Sequence, residues 1–225
     1  MEIPWRYEMK KITGIYLLMV ASVMGSNFVM ASDGKRYSLT ITNATAQHVI
    51  TPPLIVIHHK GYQLFEVAKP ASEGLATLAE SGNNSILAGE VAGSSGVVKV
   101  IQGSAPIVYG NSKTFYFNAP KRARVSLAGM LATTNDAFAA VSGVALPRKS
   151  VSYMAETYDA GSEDNNELCI DIPGPPCGGT NATIVGDGEG FVTIHNGVSG
   201  VGNLNPAQLD WRGATAIVTI KRVKK

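Results

Sequence analysis

The chain has 225 residues, 45% of them hydrophobic, with 19 Lys and Arg set against 17 Asp and Glu. A formal net charge of +2 and 16% charged residues exclude both a solvated disordered tail and a nucleic-acid polycation. Aromatics at 7% and 24 glycines favour a turn-rich β protein over a helical bundle, and two cysteines exclude a disulfide scaffold or a four-thiolate zinc site.

Lys10 and Lys11 precede an apolar run from Ile15 to Val23, which breaks at Gly25-Ser-Asn27 and closes on Val29-Met-Ala31 before Ser32. A basic start, a short apolar stretch and a small residue at the break form the pattern of a secretory signal peptide over residues 1–31. The run is shorter than the roughly 20 apolar residues that span a bilayer. Glu2, Trp5 and Glu8 suit such a leader poorly, and a start at Met9, giving Met-Lys-Lys, suits it better. The expectation is an exported protein, periplasmic or extracellular, with one domain over residues 32–225 and no later transmembrane segment. Export would put Cys169 and Cys177 in a disulfide-permissive compartment, and Pro173-Gly-Pro-Pro176 between them turns the chain, so a bridge is expected over two free thiols.

Tyr37-Ser-Leu-Thr-Ile-Thr-Asn43 alternates apolar and polar side chains, the period of a half-buried strand. Leu54–Ile57, Val97–Ile101, Thr114–Phe117 and Ala123–Leu127 are further predicted strands, followed by Phe138–Val144, Val151–Tyr158, Phe191–Ile194 and Ala216–Ile220. Turn-forming Gly, Asn, Pro and Ser separate most of them, at the spacing of an antiparallel β-sandwich. One helix interrupts the series: Ser72 can cap Glu73–Glu80, and Gly82 stops it. A second helical turn is expected over Ile86–Val91. The fold class is therefore all-β.

Charge is uneven along the chain. No Lys or Arg occurs between Lys149 and Arg212, while that interval holds nine acids: Glu156, Asp159, Glu163, Asp164, Glu167, Asp171, Asp187, Glu189 and Asp210. Unpaired acids repel one another unless they are spread out, solvated or neutralised by a cation. A solvated loop face is one reading. A calcium site is the other, because hard oxygen donors on loops suit that ion. Asp159-Ala-Gly-Ser-Glu163 concentrates the donors, with Gly161 letting both acids face one point. An EF-hand is excluded, since Ile170 stands where the bidentate acid belongs. Asp187-Gly-Glu-Gly190 is a second donor pair or a plain acidic turn.

Other chemistries lack their signatures. There is no Gly-x-Ser-x-Gly elbow, no Gly-Lys-Ser/Thr phosphate loop and no dinucleotide fingerprint. His58 and His59 are adjacent on a strand and point to opposite faces, so one buried and one exposed ring is expected rather than a chelate. The basic ending Lys221-Arg-Val-Lys-Lys225 has no interleaved aromatics and suits a solvated strand end better than nucleic-acid readout.

Several stretches in order resemble the spondin N-terminal domain family in its bacterial secreted form. They are Tyr37–Asn43, Ile50-Thr-Pro-Pro53 leading to His58, and Leu64–Leu75 running into Leu78-Ala-Glu80. Tyr158–Glu163, Ile172–Cys177, Gly188-Glu-Gly-Phe191, Asp210-Trp-Arg212 and Ala216–Arg222 complete them. The resemblance implies an antiparallel C2-like sandwich with a metal ion at one end, as in relatives from extracellular-matrix adhesion proteins. Its Asp-Ala-Gly-Thr-Asp motif is similar to Asp159-Ala-Gly-Ser-Glu163, which implies metal-ligand roles for Asp159 and Glu163, the longer Glu163 arm shifting the site. Its Ser-Pro-Asp-Trp-Phe segment is similar to Thr134-Asn-Asp-Ala-Phe138 and nominates Asp136, although this copy lacks the Pro and the Trp. The combined expectation is a non-catalytic calcium-binding module that engages an extracellular or envelope ligand, protein or glycan, and no nucleic acid. The alternatives are a hydrolase using His195 with the acidic end, and a purely structural envelope protein.

Overall fold

Every predicted strand has a counterpart. The computed structural model describes residues 34–179 and 188–224, so the predicted signal peptide and Asp187 lie outside the described residues. The strands are β1 (Lys35–Asn43), β2 (Leu54–His58), β3 (Val97–Gln102), β4 (Ser112–Ala119), β5 (Arg124–Met130), β6 (Ala137–Ala145), β7 (Ser150–Asp159), β8 (Thr193–Ile194) and β9 (Ala216–Arg222). The helices are α1 (Glu73–Ser81), α2 (Ser85–Ala92) and the four-residue α3 (Pro206–Leu209). Strand order is β3-β2-β5-β6-β7-β9-β1-β4, with β8 paired to β7, and every pairing is antiparallel. The fold is all-β, as its sequence implies.

β7 joins two halves of this sheet. Ser150–Ala155 pair with β9, whereas Glu156–Asp159 pair with β6, so the strand changes partner at its middle. One half, β7-β9-β1-β4, turns one face to solvent; β1 therefore alternates, burying Tyr37, Leu39 and Ile41 while Ser38, Thr40 and Thr42 face outward. The other half, β3-β2-β5-β6, is covered on both faces at β2. All five residues of β2 are buried, which explains its unbroken Leu-Ile-Val-Ile run.

Two cores result. Leu39 and Ile41 of β1, Val218 and Ile220 of β9, Ile55 and Ile57 of β2, and Val125 and Leu127 of β5 form the larger one. On the opposite face, Leu54 and Val56 of β2, Ala128 of β5 and Phe138 of β6 pack against Leu75 and Leu78 of α1 and Leu87 and Val91 of α2. Ser72 Oγ accepts the Leu75 N–H at 3.2 Å, and Gly82 closes α1 in the left-handed conformation at φ 73°, as the sequence predicts. The helices touch closely at Gly74, where a Cβ would lie 2.5 Å from the Leu87 Cα. His58 is fully buried and His59 exposed. Cys169 and Cys177 are disulfide-bonded, and Cys177 packs against a third small core of Ile172, Val198, Leu204 and Leu209. Among the described residues no helix is long and apolar enough to cross a membrane.

Candidate metal centre at the acidic end of the sheet

β6 begins where β7 ends. Ala137 pairs with Asp159, and the Asp136 carbonyl accepts the Ala160 N–H at 3.2 Å, so the pairing sets the Asp136 backbone beside the end of β7, and the turn before β6 lets its carboxyl feel the charge of Asp159. Both are buried, at 0% and 2% exposure. Asp136 Oδ2 accepts from the Ser162 N–H (2.8 Å), the Ser162 hydroxyl (3.1 Å) and the Glu163 N–H (3.1 Å). Its other oxygen, Oδ1, is buried and meets no N–H or hydroxyl donor among the described residues. Asp159 Oδ1 accepts the Gly161 N–H at 2.7 Å, and Oδ2 accepts from Asn165 Nδ2 at 2.6 Å.

These carboxyls sit in an unfavourable field. Burial, and after it the charge of Asp159, pushes the Asp136 carboxyl up to about 7. Burial also raises Asp159, with Glu189 adding to the effect and the hydrogen bonds from Asn165 and from the Asp136 carboxyl opposing it. No Lys or Arg offsets them: the ion pairs among the described residues are His195 Nε2–Asp159 Oδ2 at 3.9 Å and Arg212 Nε–Asp210 Oδ2 at 3.5 Å.

The loop geometry explains the glycines. Gly161 has φ +68°, and a Cβ there would run into the Phe191 carbonyl oxygen. Gly190 N–H donates to the Gly161 carbonyl at 2.8 Å, and a Cβ on Gly188 would lie 2.6 Å from that same oxygen. The two acidic segments read from the sequence, around Asp159 and around Glu189, are therefore pressed together. A solvated acidic face describes Glu156, Asp164 and Glu189, which are exposed, but not Asp159, Glu163 and Glu167, which are buried.

Glu167 has a different task. Its carboxylate accepts the Ser199 N–H (2.5 Å), the Ser199 hydroxyl (2.8 Å) and the Gly200 N–H (2.6 Å), tying the loop before α3 to the site. Asn135 Oδ1 accepts the Glu167 N–H at 3.2 Å. The sequence reading missed Asn135 as an organiser, although it lies inside the quoted Thr134–Phe138 segment.

His195 is 9% exposed at its side chain, and its Nδ1 accepts the Gly197 N–H at 3.0 Å. In the neutral ring the proton is thus on Nε2, the nitrogen facing Asp159. Burial lowers the His195 pKa to about 4, the charge of Glu167 opposing it, so the ring is neutral at pH 7. Trp211 lies between His195 and His48, with ring centroids 5.0 and 5.1 Å away. A cavity of about 210 Å³ opens here, lined by Asn135, Asp159, Glu189 and His195 among others.

The donor set suits a hard divalent cation: oxygen ligands only, adjacent buried carboxyls, and one carboxylate oxygen without a donor. Among the described residues no three His, Cys, Asp or Glu side chains converge tightly enough to enclose an ion as they stand. Asp136 and Asp159 are brought together, and Glu163 is attached to them through its backbone.

An antiparallel all-β domain with paired buried acids where β7 ends and β6 begins defines the class. The Spondin_N family model matches residues 44–166, more than half of the chain and a span that contains Asp136, Asp159 and Glu163. The chain belongs to that family. No curated protein matches it.

Proposed function

We propose that the protein is an exported, non-catalytic calcium-binding module, in which Asp136, Asp159 and Glu163 hold the ion and the loops they order engage an extracellular or envelope partner. One observation carries this reading: the buried Asp136 Oδ1 has no N–H or hydroxyl donor among the described residues while its neighbour is a second buried carboxyl. Stripping a carboxylate of water without a partner is strongly unfavourable, and a bound cation removes the penalty for both acids at once. The chain's own residues supply the rest. Ser162 and Glu163 backbone groups fix one edge of Asp136, Gly161 and Asn165 fix Asp159, and Glu167 anchors the covering loop.

The hydrolase alternative draws less support. His195 Nδ1 is already an acceptor for Gly197, and the Ser199 hydroxyl donates to Glu167. A general base needs a free ring nitrogen within hydrogen-bond reach of a nucleophile.

The test is thermal unfolding of the protein from residue 32 onward, with calcium titrated against an EDTA control. A midpoint that rises with calcium, over roughly 0.1–1 mM as for many extracellular modules, supports the site. No shift up to 10 mM overturns it.

A further inference from the structure

The end of β7 remote from Asp159 carries the opposite charge. β1 contributes Lys35 and Arg36 there, the β6–β7 turn contributes Arg148 and Lys149, and the end of β9 contributes Lys221, Arg222 and the following Lys224. They line an open trough of about 1040 Å³ that contains no acidic residue among the described residues. Register assembles it: Ser150 pairs with Lys221, Lys221 with Ser38, and Ser38 with Tyr116, one row across β7, β9, β1 and β4. None of these cations forms an ion pair among the described residues. Arg36 instead lies over the Tyr116 ring, 5.6 Å from its centroid.

Next to the trough, the same outer face presents a ladder of small hydroxyls. Ser152 and Thr219, Thr40 and Thr114, and Thr42 and Ser112 each pair at 2.8 Å. A cluster of unneutralised cations repels itself and attracts a polyanion. The face beside it offers hydroxyl donors and acceptors in place of the stacked aromatic rings that single-stranded nucleic acid uses. Among the described residues Tyr116 is the only exposed aromatic lining the trough.

We propose that this trough binds an anionic polysaccharide, its sulfate or phosphate groups seated on Arg36, Arg148 and Lys221 and its sugar rings against the hydroxyl ladder. The site is independent of the metal centre. Asp159 and Ser150 are the two ends of the ten-residue β7, separated by about 30 Å of extended strand.

Heparin serves as the probe, with neutral dextran and a duplex DNA as comparison ligands, measured by calorimetry on the protein from residue 32 onward. The expected result is heparin binding that weakens steeply with salt, is unchanged by EDTA, and exceeds binding to DNA at equal charge concentration. Arg148→Glu with Lys221→Glu should weaken it at least ten-fold without moving the unfolding midpoint, since both side chains are exposed. Lys60→Glu with Lys99→Glu, exposed elsewhere on the surface, should leave it within two-fold. If the reversal at Arg148 and Lys221 disturbs folding, Arg148→Gln with Lys221→Gln is read in its place. Absence of heparin binding at 50 mM salt, equal losses in both pairs of variants, or DNA binding as tight as heparin would each overturn the proposal.

Discussion

The backbone N–H of Glu163 donates to Asp136 Oδ2 at 3.1 Å, so one nominated ligand holds the loop that carries another. Asp136 is thus a structural acceptor through Oδ2 and an unsatisfied donor atom for a cation through Oδ1. Asp136→Asn separates these roles, because the amide keeps one carbonyl oxygen for the loop and removes the buried charge. Without metal the variant should be at least as stable as the parent. With calcium at a hundred times its Kd the parent should gain about 2.7 kcal/mol. At this chain length that gain is roughly 5–11 °C in midpoint, and the variant should show almost none of it. Differential scanning calorimetry with and without EDTA measures both.

Gly161→Ala tests the loop rather than the ligands. The left-handed backbone disfavours a side chain there, and the added Cβ would meet the Phe191 carbonyl. A loss of about 1–3 kcal/mol is expected, together with weaker calcium dependence, because Asp159 and the Gly190 contact move with Gly161. A variant with parental stability and parental calcium response would show that the tight approach of residues 161 and 191 is dispensable.

Local pattern made the elements legible and left their partners hidden. β1 declared itself because one face is wet, and β2 because a four-residue apolar run is too short for a buried helix. The exchange of partners along β7 leaves no mark in its alternation, since it depends on which strands lie beside each half. α3 has four residues and so no helical period to detect. At the site, resemblance nominated Asp136, Asp159 and Glu163, and spacing alone offered only the latter two. Glu167 read as one more acid in a run; its bonds to Ser199 and Gly200 cross more than thirty residues. The basic trough was invisible for the same reason. Its cations come from three separated segments, and the basic ending read as a solvated strand end.

His58 predicts a dependence on pH. Its Nδ1 lies 2.8 Å from the His59 carbonyl and must donate, leaving Nε2 to accept the Ser126 hydroxyl at 2.9 Å. Burial lowers its pKa below 6.5, the His59 hydrogen bond opposing this. A base lowered on folding stabilises the fold above its unfolded pKa and loses that stabilisation as pH falls through the folded value. Unfolding midpoints of parent and His58→Gln should therefore converge as pH drops from 7 toward 4. A constant difference over that range would show that His58 does not titrate with unfolding.

Phe138 follows Asp136 by two residues and anchors the core beneath it. Its ring is fully buried, edge-on to Phe65 at 5.2 Å and stacked on Tyr158 at 5.7 Å. Phe138→Ala should remove about 3–5 kcal/mol by loss of packing and creation of a cavity. Urea denaturation reads the loss directly. A change below about 1 kcal/mol would mean that Phe65 and Tyr158 collapse into the space.

The disulfide closes the segment that follows Glu167 in the chain. Cys169 N–H donates to Asn203 Oδ1 at 2.9 Å, and Asn203 N–H donates to the Glu167 carbonyl at 2.7 Å, so the bridge secures the covering loop rather than the ligands. It spans a sequence separation of 8, and closing so short a loop contributes about 2.5 kcal/mol in the chain-entropy model. Cys169→Ser with Cys177→Ser should lower stability by that order. The calcium-induced rise in midpoint should survive, because Asp159 is set by the pairing of β6 with β7 and Asp136 by the Ser162 and Glu163 N–H groups, none of which the bridge holds. Loss of the calcium response in the double variant would move the origin of the site from strand register to the covering loop.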